Sequence, residues 1–328
     1  MKLHEDLESF KTLIQMTASS FGVTPVYIEK DYWVTYVLKN LFTSEYKDKV
    51  IFKGGTSLSK AYSLIKRFSE DVDLQLINFE GSEHQKKSLM KKIEAAATVG
   101  LIPQPNHPRE NKRGNIRKTV YKYQKSIEGE FFQASDDFIF EINGMSIPEP
   151  WEAKEIETDI AKYLSLKGLH DEIKEFELET FSVNVLNKER TFVEKIFAVL
   201  DYSFEDDYRT ELEKKIRHIY DIHKLYRNEE IKEFFESDNF FELCSKVVVE
   251  NDFFGKRKTT IYSESRFFSE DIISPLETTY KNAFSKFVYS DLPDFNNVKT
   301  DLKIVIERVN VWERVWRNKN SSKFLLGI

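Results

Sequence analysis

Apolar residues at Leu3, Leu7, Phe10 and Ile14 recur at spacings of three and four, which predicts an amphipathic first helix packed by one stripe. Thr24 followed by Pro25 reads as the start of a second helix. It runs through Leu41, with Val34, Val37, Leu38 and Leu41 as its apolar stripe. The period then changes. Val50, Ile51 and Phe52 form a short apolar run closed by Gly54-Gly55 and the hydroxyls of Thr56 and Ser57. A helix beginning near Ser57 is predicted from Leu58, Ala61, Tyr62 and Ile65, and after it a strand opens as Asp71-Val72-Asp73-Leu74. Strand alternation puts Asp71, Asp73 and Gln75 on one side, with Val72, Leu74 and Leu76 facing the core.

The remaining pattern predicts a helix over 86–99 stopped by Gly100 and Pro103, a strand over 137–142, and another strand at Phe181, Val183 and Val185. Helices follow at Phe192, Ile196 and Val199 and over 211–226. After an aromatic group (Phe234, Phe235, Phe240, Phe241) and a basic turn at Lys256-Arg257-Lys258, a long helix carries Val298, Leu302, Val305, Val309, Trp312 and Trp316. Those tryptophans are either core or a partner-binding face. Near Pro148 the composition shifts toward charged helix formers, which places the expected boundary between a 1–150 domain and a mainly helical 151–328 domain.

At 328 residues, with 41% hydrophobic and 14% aromatic residues, the chain has material for a substantial core. A net charge of −6 argues against a general nucleic-acid coat but permits a local basic groove. Such a concentration lies between Arg109 and Lys125, where seven basic residues meet a single acid, Glu110, and Tyr121 and Tyr123 are interleaved. Two readings stand: a footprint for a nucleic-acid backbone with tyrosines for stacking, or an exposed hairpin kept soluble by lysines. The single cysteine, Cys244, excludes an intrachain disulfide and a cysteine zinc cage. The opening residues lack the apolar run of a signal peptide and no stretch is apolar enough to span a bilayer, so a cytoplasmic protein without membrane contact is expected.

The chemistry concentrates at the Asp-x-Asp strand. Its two carboxylates are about 6–7 Å apart along the strand, a suitable half-cage for a hard divalent cation that keeps substrate phosphates among its ligands. The glycine turn offers backbone N–H groups to a phosphate beside it. The stretch KGGTSLSKAYSLIKRFSEDVDL resembles the AbiEii/AbiGii toxin family, a branch of the DNA polymerase beta-like nucleotidyltransferases that supplies the toxins of type IV toxin–antitoxin systems. The spacing from Gly55 to Asp71 is long for the superfamily at large and normal for this branch. The resemblance spans about residues 25 to 225. NKERTFVEKIFAVLD is similar to a second family block and Arg217-His218-x-x-Asp221 to a third, while Glu29-Lys30-Asp31-Tyr32-Trp33 is either a recurrent family segment or a solvated charged face.

The resemblance implies an α+β fold: a polymerase-beta-like core, a small mixed sheet flanked by helices, then a mainly helical domain. It further implies an NTP substrate and Mg²⁺, with Mn²⁺ as an alternative, held by Asp71 and Asp73. Glu141 on the 137–142 strand is the candidate third ligand. Gly54, Gly55, Thr56, Ser57, Arg67, Ser69 and Arg217 are the expected substrate contacts, and Lys195 and Asp221 the further catalytic pair. The implied role is a bacterial toxin or phage-defence enzyme that modifies RNA, with a tRNA 3′ end as acceptor and a cognate antitoxin as partner. A non-catalytic nucleotide-binding protein of the same fold is the alternative. An Asp-x-Asp glycosyltransferase would share the metal logic but not explain the glycine turn or the later blocks.

Overall fold

In the computed structural model, which describes residues 1–69, 71–77, 79–129, 137–145, 147–255 and 261–324, the extended segments assemble into one mixed sheet. Its strands are β1 (Val50–Lys53), β2 (Val72–Leu76), β3 (Ile102–Pro103), β4 (Ile116–Lys122), β5 (Phe138–Asn143), β6 (Trp151–Ile156) and β7 (Phe181–Leu186), in the order β3-β4-β5-β2-β1-β7-β6. β1 is antiparallel to β2 and parallel to β7, and β2 is parallel to β5. The predicted α+β class is therefore the observed one.

The strands form where alternation lets each face bury what it carries. On β5, Phe138, Phe140 and Ile142 are fully buried, each worth about 1.5–3 kcal/mol over an exposed side chain. They share a face with Val72 and Leu74 of β2, and with Arg117, Thr119 and Tyr121 of β4. Helices α1 (Leu7–Phe21), α2 (Pro25–Phe42), α3 (Gly54–Lys60), α4 (Glu83–Ala97), α5 (Asp159–Leu166) and α6 (His170–Glu175) accompany the sheet. The α2–α4 layer covers that face: Trp33 of α2 stacks on Tyr123, and Glu94 of α4 accepts from Arg117 and from Tyr121 Oη at 2.6 Å. Gln75, expected on the side of the two aspartates, is fully buried.

Residues 1–186 form one compact unit and 187–328 another. Strands β6 and β7 lie beyond the composition shift near Pro148; β6 pairs with β7 and β7 with β1, so the sheet draws the first unit out to Leu186. Composition marks helix content; strand pairing decides where a unit ends. In the second unit, helices α7 (Lys188–Tyr202), α8 (Tyr208–Lys214), α9 (Ile216–Tyr226), α10 (Glu229–Glu236), α11 (Asp238–Phe253), α12 (Glu270–Asn282) and α13 (Phe295–Phe324) pack around an aromatic core. Val298, Leu302, Val305, Val309 and Trp312 of α13 are buried as their spacing predicts, and Trp312 lies edge-on to Phe197. The Lys256-Arg257-Lys258 turn lies outside the described residues. No helix among the described residues is long and apolar enough to cross a membrane.

Candidate active site

Strand register places four charged residues in one row across the second face of the sheet. Lys118 of β4 is paired with Glu141 of β5, Glu141 with Asp73 of β2, and Asp73 with Lys53 of β1. Two carboxylates thus stand side by side between two lysines. Asp71, just before β2, adds a third carboxylate. Burial, then Glu141, then Asp71 push the Asp73 carboxyl up to about 7, while Lys53 and Lys118 oppose the rise. Lys118 Nζ is 3.1 Å from Glu141 Oε2.

The glycine turn sits directly on this row. Gly54 has φ +83, a conformation that L side chains rarely adopt, and a Cβ there would collide with the Asp73 carboxylate. A Cβ on Gly55 would come to 2.5 Å from Arg67 Nη2 and 3.0 Å from Ser69 Oγ, so Arg67 and Ser69 lie over the turn. Arg67 is buried and donates to the Phe68 carbonyl at 3.0 Å. Thr56 and Ser57 are buried as well, and their hydroxyls serve the turn: Thr56 Oγ1 donates to the Asp71 carbonyl at 2.6 Å and meets Ser69 Oγ at 2.9 Å, and Ser57 Oγ donates to the Gly54 carbonyl at 2.9 Å. The backbone at Asp71 is thereby fixed to the first turn of α3. That helix starts at Gly54, three residues before its apolar stripe suggested, and ends at Lys60, so Ile65 packs from an irregular segment.

The Glu29-Lys30-Asp31 segment is not a solvated face. Glu29 is fully buried and accepts from Ser126 N at 2.5 Å and Ile127 N at 3.3 Å. Lys30, also fully buried, donates to the Asp137 carbonyl and lies over the Tyr123 ring at 5.5 Å. Asp31 takes Lys60 Nζ at 2.6 Å and Asp159 N at 2.8 Å, which ties the end of α3 to α2 and to the start of α5. Sequence spacing gave no sign of this, because its partners lie 29 and 128 residues away.

The basic stretch is largely spent within the fold. Arg109 pairs with Asp137, Lys112 with Glu110, Arg117 with Glu94 and Lys118 with Glu141. Tyr121 and Tyr123 are buried, so neither ring is presented for stacking on a base. β4 is covered on one face, the turn over 111–114 that the Asn111–Lys118 bridge closes is exposed, and Arg117 and Lys118 point to opposite faces.

In the second unit, Lys195 of α7 and Asp221 of α9 form a buried ion pair, Nζ to Oδ2 2.9 Å, with Asp221 fully buried. The Arg217 guanidinium lies 4.6 Å from the Phe287 ring centre. Arg190, which the sequence did not single out, is buried between Glu194 and Glu250 and braces α7 to α11.

The donor chemistry of Asp71, Asp73 and Glu141 fits a hard divalent cation: all oxygen, with neighbouring negative charge that adds to burial in raising the Asp73 pKa. Among the described residues no three His, Cys, Asp or Glu side chains are gathered around one point as a finished cage. The fold brings the carboxylates into one row, with Glu141 drawn toward Lys118.

The family model for the nucleotidyl transferase AbiEii toxin of type IV toxin–antitoxin systems matches residues 36–302. Among solved structures the chain is similar to MenT4, a nucleotidyltransferase toxin of Mycobacterium tuberculosis H37Rv. The two are 15% identical over 89% of this chain and 98% of that one, with a TM-score of 0.46. No curated protein sequence matches.

Proposed function

The chain belongs to the AbiEii nucleotidyltransferase toxin family of type IV toxin–antitoxin systems, and on that premise we propose that its site moves an NMP from an NTP to a hydroxyl of RNA, with a tRNA 3′ end as acceptor. The observation that carries this reading is the glycine turn seated on Asp73, in register with Glu141 and next to Asp71. A phosphate group and a carboxylate set are needed at one point, and the two elements meet there.

Asp71, Asp73 and Glu141 would hold Mg²⁺ or Mn²⁺. When bound, that cation neutralises the triphosphate and the charge developing on the reacting phosphorus. The acceptor oxygen forms a bond to the α-phosphorus as the bond to the bridging oxygen breaks, and pyrophosphate leaves. Backbone N–H groups at Gly54 and Gly55, residues without side chains of their own, would face the phosphates at the start of α3. Arg67, fixed over Gly55, supplies an immobile positive charge, and a donor that needs no reorganisation favours the transition state over the ground state. Ser69 reaches the same edge of the turn. Thr56 and Ser57 shape the turn through their internal hydrogen bonds.

Lys195 is proposed as the cation for the leaving pyrophosphate and Asp221 as the residue that positions it, roles that rest on the two sequence blocks they belong to. The same premise makes the chain a bacterial toxin with a cognate antitoxin, acting in the cytoplasm, and in phage defence.

Purified protein incubated with Mg²⁺, each α-labelled NTP in turn and total tRNA tests the reading. Label enters RNA with the wild type and not with Asp71→Ala/Asp73→Ala. Label on protein instead of RNA overturns the acceptor, and NTP binding without any transfer overturns catalysis.

A further inference from the structure

We propose that Lys118 is the internal counterion of this site: it holds Glu141 while no metal is bound, so that the cation enters together with the nucleotide rather than alone. This rests on the nucleotidyltransferase reading above and adds a residue and a binding order to it.

Three observations carry it. Lys118 Nζ is 3.1 Å from Glu141 Oε2, and register puts the two residues directly opposite each other on neighbouring strands. Register continues the same row from Glu141 to Asp73, so the ammonium stands at the end of a line of carboxylates. Finally, the carboxylates stand in a row without closing around one point, and the one beside Lys118 is the one that a third ligand position needs. Lys118 is the only basic residue of the 109–125 stretch, among those described, that register places opposite Glu141.

The physical consequence is a competition. A divalent cation arriving alone must detach Glu141 from an ammonium and then sit close to that ammonium. Like charges a few ångströms apart in a partly buried site repel strongly. A cation arriving with a triphosphate brings negative charge of its own, and the phosphates give the released ammonium a new partner. Metal and nucleotide therefore bind with positive coupling, and Lys118 is one source of it. Lys118 acts through Glu141 and is a positioning residue.

The test measures Mn²⁺ binding to the full chain by the signal of free Mn²⁺, with and without a non-hydrolysable NTP. Without nucleotide, Lys118→Met binds Mn²⁺ at least fivefold more tightly than wild type, and the enhancement produced by the nucleotide shrinks by a similar factor. Lys118→Gln, a second neutral variant, does the same, whereas Lys118→Arg, which keeps the charge, stays within twofold of wild type. Arg113→Met removes an exposed charge from the same region and leaves the affinity unchanged. Unchanged or weaker Mn²⁺ binding in both neutral variants overturns the proposal. So does an equal gain in Arg113→Met, because net charge would then suffice. Asp71→Asn/Asp73→Asn separates the two layers of argument: Mn²⁺ binding that survives there overturns the site itself, whatever Lys118 does.

Discussion

Alanine at Gly54 separates the backbone requirement of the turn from its contact with Asp73. Gly54 and Gly22 both have positive φ, +83 and +66, but a Cβ at Gly22 meets nothing within 4 Å whereas one at Gly54 runs into the Asp73 carboxylate. Left-handed backbone costs an L-residue about 1–2 kcal/mol, and Gly22→Ala should lose that much. At Gly54 the carboxylate must also leave its rotamer, so a total near 1.5–3.5 kcal/mol is expected. Alanine restricts the unfolded chain equally at both positions, and that term cancels in the comparison. Urea unfolding measures the stabilities. The informative quantity is the transfer rate, since a displacement of about 1 Å at a reacting group costs on the order of 100-fold. Gly54→Ala should fall by that order while Gly22→Ala keeps the wild-type rate. The reasoning fails if Gly54→Ala turns over normally, or if Gly22→Ala loses as much activity at equal loss of stability.

Other expectations concern parts of the fold with different tasks. Lys195→Met leaves the Asp221 carboxylate buried without its ammonium and should cost about 3–5 kcal/mol; Lys195→Met/Asp221→Leu should recover much of this, and a double variant less stable than the single would contradict the pairing. Tyr123→Ala removes a buried ring stacked on Trp33 and should lose about 3–5 kcal/mol in urea unfolding, while Arg113→Ala, at an exposed position, should leave stability within about 0.5 kcal/mol; the opposite order would return the tyrosine to the surface. Burial lowers the pKa of His4 below 6.5, so the unfolded chain takes up that proton first, and the stability His4 contributes is full above 6.5 and lost as the pH falls toward its folded value. The stability gap between wild type and His4→Asn should accordingly narrow between pH 7.5 and 5.5; a constant gap would show that His4 does not titrate differently on folding.

What was legible in the sequence was what depends on near neighbours. Strand and helix periods are local, so Val50–Phe52, the Asp71–Leu76 alternation, Phe138–Ile142, Phe181–Val185 and the α13 stripe could be located from spacing alone. The pairing of Asp71 with Asp73 and their nearness to Gly54-Gly55 follow from a short span of chain. The family resemblance drew on the same local blocks, and the family model covers 36–302.

Tertiary structure decided which charges meet. Glu29 finds Ser126, Lys30 finds the Asp137 carbonyl, and Asp31 finds Lys60 and Asp159, so a segment that spacing left open between a family block and a charged surface is an internal clamp. Lys118 and Arg117 are adjacent in sequence, yet one joins the carboxylate row and the other reaches Glu94 on the opposite face. Sheet register also moved the unit boundary to Leu186, by pairing β7 with β1 across more than a hundred residues of chain. The physical reason is the same throughout. Periodicity reports how a residue sits on its own element, whereas an ion pair or a strand register depends on which distant backbone lies beside it, and that is fixed only when the core closes.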